Sequence, residues 1–170
     1  MMVTNTAKPG AEYRPGVGMM LLNSRNCVLM CRRADVANTW QMPQGGIDQG
    51  EEPRGAALRE LKEEIGTDNV EIIAESKNWY QYDLPAELIG KAWEGRYVGQ
   101  RHKWFLMRFK GHDDEINLES KHAEFIGWIW VPPDHITDLV VPFKKDSYLG
   151  ILAEFCELIH EHPSDAASQP

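Results

Sequence analysis

Gly45–Thr67 reads GGIDQGEEPRGAALRELKEEIGT and packs five glutamates and one aspartate into a short segment. Its pattern predicts a helix from Pro53 to about Ile65. A proline suits the first turn of a helix, and Gly66 suits the position that closes it. At about 100° per residue, Leu58, Leu61 and Ile65 form an apolar stripe with Ala57 beside it. Glu60, Glu63 and Glu64 are expected on the opposite side, at i, i+3 and i+4, where they are surface neighbours.

Three carboxylates so placed destabilise one another by roughly 0.2–0.5 kcal/mol per pair. On their own they read as a solvated helix face. A divalent cation reverses the sign, because Mg²⁺ and Mn²⁺ prefer oxygen ligands. The flanking residues favour the second reading. Gly45 and Gly46 let the backbone turn sharply and aim a carbonyl at an ion. Glu51 falls near the helix start, where the dipole favours an anion. Arg59 adjoins Glu60 and is suited to orient a carboxylate.

The chain has 170 residues, 42% of them hydrophobic, enough for one domain with a sizeable core. No apolar run is long enough to span a bilayer, and MMVTNTAKPGAEYR at the N-terminus has no signal-peptide core. The expected setting is cytoplasmic. Cys27, Cys31 and Cys156 are read as buried, reduced thiols, and C-x3-C without a second pair does not suggest zinc. The six histidines form no ligand pair at helical spacing, and His160 and His162 are expected to be solvated. A formal net charge of −8 disfavours an extended nucleic-acid track. It leaves room for a protein that grips only a nucleic-acid end, or a nucleotide held through metal ions.

Residues 1–12 and 162–170 are expected to be flexible tails around one domain at 13–161. Strands are expected at 17–22 and 27–33, joined by the turn NSRN, then at 70–76, 79–84, 103–109 and 125–131. WQMPQGG is a short extended piece. A short helix is expected over 132–139 and a longer one over 143–160, where Leu149, Leu152, Phe155, Cys156 and Ile159 recur at helical period. The mixture points to an α/β or α+β fold with helices covering a mixed sheet.

The segment resembles the signature of the Nudix hydrolases, G-x5-E-x7-R-E-U-x-E-E-x-G-U, with U a bulky apolar residue. Gly45, Glu51, Arg59, Glu60, Leu61, Glu63, Glu64 and Gly66 stand at those spacings, and Thr67 replaces the final apolar residue. Over Tyr13 to Gly150, the segments YRPGVG, WQMPQGGI, KNWYQY, VGQRHKWF, EFIGWIWV and VPFKKDSY are similar to a narrower group. That group is the bacterial RNA pyrophosphohydrolase and dinucleoside polyphosphate hydrolase branch, itself similar to plant diadenosine tetraphosphate hydrolases.

The resemblance implies a mixed sheet between helices, with the signature as a loop–helix–loop. It implies removal of pyrophosphate from the 5′-triphosphate end of RNA by water attack, assisted by two or three Mg²⁺ (or Mn²⁺) ions. Hydrolysis of dinucleoside polyphosphates is the alternative. A nucleotide sensor without catalysis is the alternative of another class, and the intact Glu60, Glu63 and Glu64 weigh against it. The implied metal ligands are Glu60, Glu63, Glu64, Glu124 and the Gly45 carbonyl. The base varies across the family; Glu60, next to Arg59 and within the cluster, is the first choice for it here. Implied substrate contacts are Arg14, Gln100, Lys103, Val141, Phe143 and Lys144. Arg32 and Arg33 are within reach of phosphate oxygens, though the spacing from them to Trp40 is one residue longer than in the branch.

Overall fold

The computed structural model describes residues 12–120 and 123–161. Most of the expected tails, and His162, therefore lie outside the described residues. The elements in chain order are β1 (Tyr13–Leu22), β2 (Val28–Arg33), β3 (Trp40–Gln41), β4 (Gln44–Gly46), α1 (Pro53–Ile65), β5 (Val70–Asp83), β6 (Gly99–Phe109), β7 (Phe125–Val131), α2 (Ile136–Leu139) and α3 (Lys145–Glu161). Short 3-10 turns precede α2 and α3. The sheet runs β3-β2-β1-β6-β5, with β4 also paired to β1 and β7 to β2. Only β1 and β6 run parallel among the pairs, from Tyr13 opposite Gly99 to Leu22 opposite Arg108. The fold is the expected mixed sheet of the α+β class.

Strand alternation builds two cores, because successive side chains point to opposite faces. From β1 and β6, Val17, Met19, Leu21, Phe105 and Met107 pack on one face with Ala57, Leu61 and Ile65 of α1. Met20, Leu22, Trp104 and Leu106 pack on the other with Ile136, Tyr148, Ile151 and Phe155 of α2 and α3. Each fully buried side chain of this size contributes about 1.5–3 kcal/mol. The first turn also forms as its sequence dictates. Asn23 Oδ1 accepts from the Arg25 and Cys27 amides, both at 2.9 Å, and Asn26 takes φ 60°, a value asparagine tolerates.

Three expectations change. Residues 70–83 form one bulged strand, not two. The ladder survives the irregular stretch because Ser76 Oγ accepts the Trp104 amide at 2.9 Å. β1 and β6 begin at Tyr13 and Gly99, each four residues before the expected strand, since their parallel pairing starts there. Of the cysteines, all free, only Cys31 is buried; Cys27 is half-buried and Cys156 is exposed on the outer side of α3. No helix among the described residues is long and apolar enough to cross a membrane.

Candidate functional site

Helix α1 has the expected bounds. Gly66 closes it at φ 81°, its amide donating to the Lys62 carbonyl at 2.9 Å. The carboxylates, however, are not opposite the core. Ala56, Ala57, Leu61 and Ile65 are the buried residues of α1, and Leu58 is only partly buried. At about 100° per residue, Glu60 and Glu64 fall between Ala56 and Ala57, inside the inward-facing arc. Both are half-buried, while the Glu63 side chain is 59% exposed at the margin. Carboxylates placed on a buried arc cost stability unless something pairs with them.

Arg59 supplies part of that pairing. Its Nε and Nη2 donate to the two carboxylate oxygens of Glu51, each at 2.8 Å. Nη2 also donates to the Gly46 carbonyl at 3.0 Å. Nη1 donates to Glu60 at 3.0 Å and approaches Glu63 at 3.3 Å. Arg59 thus ties the loop before α1 to the carboxylates and faces no cleft. Glu51 precedes the helix and is held to a pKa of about 2, chiefly by Arg59.

The opposite shift marks the inward pair. Burial raises the Glu60 carboxyl, with Arg59 opposing and the charges of Glu63 and Glu124 adding. Burial pushes Glu64 well above its ordinary value, reinforced by Glu124 and Glu60. Glu64 Oε2 is buried with no hydrogen-bond partner. Gly45 lies so close that a Cβ there would stand 2.1 Å from the Glu60 carboxyl carbon. A divalent cation fits this set: the donors are all oxygen, they repel one another, and one is unpaired. Among the described residues, no three such groups already surround a single ion position.

These carboxylates line one side of a cleft of about 1170 Å³. Ordinary small-molecule pockets run to about 300–1,000 Å³, so a nucleotide bearing several phosphates has room. Of the sequence-designated residues, Arg14, Arg33, Gly45, Glu60, Glu64, Gln100, Glu124, Val141, Phe143 and Lys144 line it. Glu63 and Arg59 are not among its lining residues. Lys103 does not reach it: Gln100 and Lys103 are three apart on β6, so they face opposite sides of the sheet. Lys103 Nζ instead lies 3.7 Å from Glu75 and 5.8 Å from the centre of the Trp79 ring. Arg33 is present but committed, donating to both oxygens of Asp35 at 2.8 and 2.5 Å. Arg32 is half-buried outside the cleft, and its Nε is unpaired.

The cleft floor adds Tyr82, which the sequence did not single out, to Phe143 and Lys144, which it did. Tyr82 is buried and its hydroxyl accepts from Gln100 Nε2 at 2.6 Å and from Gln44 Nε2 at 3.4 Å. Burial raises its pKa to about 12. Phe143 leans on Tyr82 with ring centres 5.5 Å apart. Lys144 is 2% exposed and donates to Gln41 Oε1 at 2.9 Å. Burial, then the charge of Arg33, lowers its pKa to about 7. Period two was the available signal for Tyr82, since Tyr80 and Tyr82 share a face of β5 and both are buried.

The chain is similar to known proteins over most of its length. Residues 12–150 match the NUDIX domain family. The RNA pyrophosphohydrolase of Rhodospirillum rubrum is 50% identical over 155 residues, covering 91% of this chain and 94% of that protein. The RNA pyrophosphohydrolase of Novosphingobium aromaticivorans is 53% identical over 160 residues, covering 91% and 99%. Among solved structures, a C. elegans Ap4A hydrolase binary complex superposes with TM-score 0.63 at 16% identity, over 88% of this chain and 99% of that one. The E. coli dihydroneopterin triphosphate pyrophosphohydrolase gives TM-score 0.63 at 18% identity, over 83% and 97%. At those identities the two structures speak for the fold.

Proposed function

The chain belongs to the Nudix family, and from that premise we propose that it is an RNA pyrophosphohydrolase, converting a 5′-triphosphate end to a 5′-monophosphate. One observation carries the reading. The half-buried carboxylates of Glu60 and Glu64 share a cleft with Glu124, with the Arg14 guanidinium and the Lys144 amine, and with the Tyr82–Phe143 ring pair. That combination suits a polyphosphate beside a stacked base. The curated relatives that match nearly the whole chain carry the same activity in their names.

Nudix enzymes use divalent ions such as Mg²⁺. Here Glu60, Glu63, Glu64, Glu124 and the Gly45 carbonyl would hold them, two or three with substrate present, supplying a lowered pKa for the attacking water and charge neutralisation at the leaving pyrophosphate. Glu60 is assigned as general base, since Arg59 fixes its carboxylate at the cleft wall. Arg59 acts by positioning. Arg14 and Lys144 stabilise phosphate charge. Phe143 stacks on the terminal base and Val141 packs beside it, with Gln100 held by Tyr82 at the floor. The acidic net charge of −8 suits contact with the 5′ end alone, in the cytoplasm.

The size of the cleft favours a second reading, hydrolysis of dinucleoside polyphosphates at the same site. A Mg²⁺-dependent assay decides, comparing a short 5′-triphosphorylated RNA with diadenosine tetraphosphate at equal concentration. Conversion of the RNA to a 5′-monophosphate, faster than cleavage of the dinucleotide, is expected. The reverse preference would make nucleotide clearance the function, and no turnover of either would point to a sensor.

A further inference from the structure

Three arginines stand near the carboxylate cluster or in the cleft, and two are already paired. Arg33 is held by Asp35, and Arg59 by Glu51, Glu60 and Glu63. Arg14 differs. Among the described residues no carboxylate pairs with it. Two packing contacts fix its guanidinium instead. One is the Gly46 backbone, so near that a Cβ there would lie 2.4 Å from Nη2. The other is the ring of Trp93, whose centre is 5.4 Å from Cζ. Trp93 lines the same cleft, on the segment between β5 and β6.

The backbone under Trp93 is unusual. Trp93 sits at φ 49°, ψ 40° and Glu94 at φ 58°, ψ 26°. Two consecutive non-glycine residues in the left-handed region persist only where surrounding contacts hold them. Gly90 at φ 94° and Gly95 at φ 76° flank the pair. Beyond it the Trp93 ring meets Tyr97 edge-on at 6.1 Å, and Arg96 covers Tyr97 at 5.1 Å. The segment is therefore braced, and what it presents to the cleft is an aromatic face under Arg14.

We infer that Trp93 is a positioning residue for Arg14, holding the guanidinium at the cleft wall while leaving its N–H donors free for substrate phosphate oxygens. The chemistry explains the choice of partner. A carboxylate would fix an arginine equally well but would occupy its donors and cancel its charge, as Asp35 does for Arg33. An aromatic face attracts the cation through its quadrupole and takes no hydrogen bond. The inference rests on the polyphosphate reading of the cleft.

A double-mutant cycle on the full chain tests it, using Trp93→Leu, Trp93→Phe, Arg14→Ala and the Trp93→Leu/Arg14→Ala pair. KM and kcat for triphosphorylated RNA are measured in Mg²⁺, with affinity for inorganic triphosphate read by calorimetry in parallel. Trp93→Leu is expected to raise KM and the triphosphate Kd about tenfold with kcat little changed, since it removes ground-state binding. Trp93→Phe keeps an aromatic face and should recover most of that loss. In the Arg14→Ala background Trp93→Leu should add nothing. An equal loss in that background would overturn the inference, as would an unchanged KM and Kd in Trp93→Leu. Thermal melts check folding, and Trp93→Gln replaces the leucine variant should that fail to fold. The two failures separate: a wild type that binds triphosphate but does not turn over RNA refutes the RNA reading, while the calorimetric cycle still decides the role of Trp93.

Discussion

Replacing Gly45 with alanine tests whether the close approach of β4 to α1 sets the position of Glu60. Gly45 has no left-handed φ, so alanine meets no backbone penalty and the effect is steric. The new Cβ would stand 2.1 Å from Glu60 Cδ and 2.2 Å from Oε2, whereas ordinary contact begins at 3.4 Å. The carboxylate must retreat by more than an ångström. That breaks its 3.0 Å bond from Arg59. Overpacking of this kind costs about 1–3 kcal/mol. For a domain of this size, about 2 kcal/mol corresponds to a fall in Tm of roughly 4–8 °C. Misplacing a reacting group by about 1 Å costs on the order of 100-fold in rate. Differential scanning calorimetry and the RNA assay measure the two. In a Glu60→Ala background the clash has no target, so Gly45→Ala should then leave Tm unchanged. Wild-type stability and turnover in Gly45→Ala would refute the reasoning, and so would equal destabilisation in both backgrounds.

Other consequences can be checked alongside. Glu64→Gln should lower turnover by orders of magnitude while relieving repulsion in the metal-free protein. Because the folded Glu64 carboxyl titrates above its unfolded value, wild-type stability without metal should fall as pH rises through that window. Urea melts at several pH values should show a flatter profile for Glu64→Gln, and a steeper one would contradict the assignment. Lys144 titrates near 7 in the fold against an ordinary 10.5, so between those values the unfolded chain binds a proton that the folded chain does not. Wild-type stability should therefore rise from about pH 7 to 10 relative to Lys144→Met, and parallel curves would refute this burial effect. Phe143→Ala should raise KM for RNA by roughly 5- to 150-fold, the worth of one stacked base at about 1–3 kcal/mol. An unchanged KM would place the base elsewhere.

Much of this was legible in the sequence because local rules fixed it. Pro53 and Gly66 bound α1 without tertiary help, and the apolar runs at β2 and β7 left little choice. The expected stripe of Leu58, Leu61 and Ile65 put Glu60 and Glu64 on the far side because it left out Ala56 and counted Leu58, which is only partly buried. The buried arc is in fact centred nearer Ala56 and Ala57, small residues with weak hydrophobic weight, and the sheet contact decides it. Lys103 came in with Gln100 through the resemblance of the segment VGQRHKWF, although alternation along a strand sends positions three apart to opposite faces. The single strand β5 was not legible either, since its continuity depends on a hydroxyl, Ser76 Oγ, serving a distant amide. Trp93 offered no local signal, because it meets Arg14 of β1 from the segment between β5 and β6, far away along the chain.

The parallel pairing of β1 with β6 also sets an order of events during synthesis. Gly16–Leu22 of β1 are all buried in the finished protein. β4 pairs only with Gly16–Gly18 of that strand and β2 only with Leu22, while β6, which pairs along its whole length, begins at Gly99. At about 5–20 residues per second, the ribosome delivers β6 roughly 4–17 s after β1. During that interval a strand with almost no polar side chain waits without its main partner. Contacts of such long range also close slowly once both ends exist. Gln100 arrives with β6, and Phe143 and Lys144 later still, so a newborn chain meets its hazard of aggregation well before it owns a working cleft.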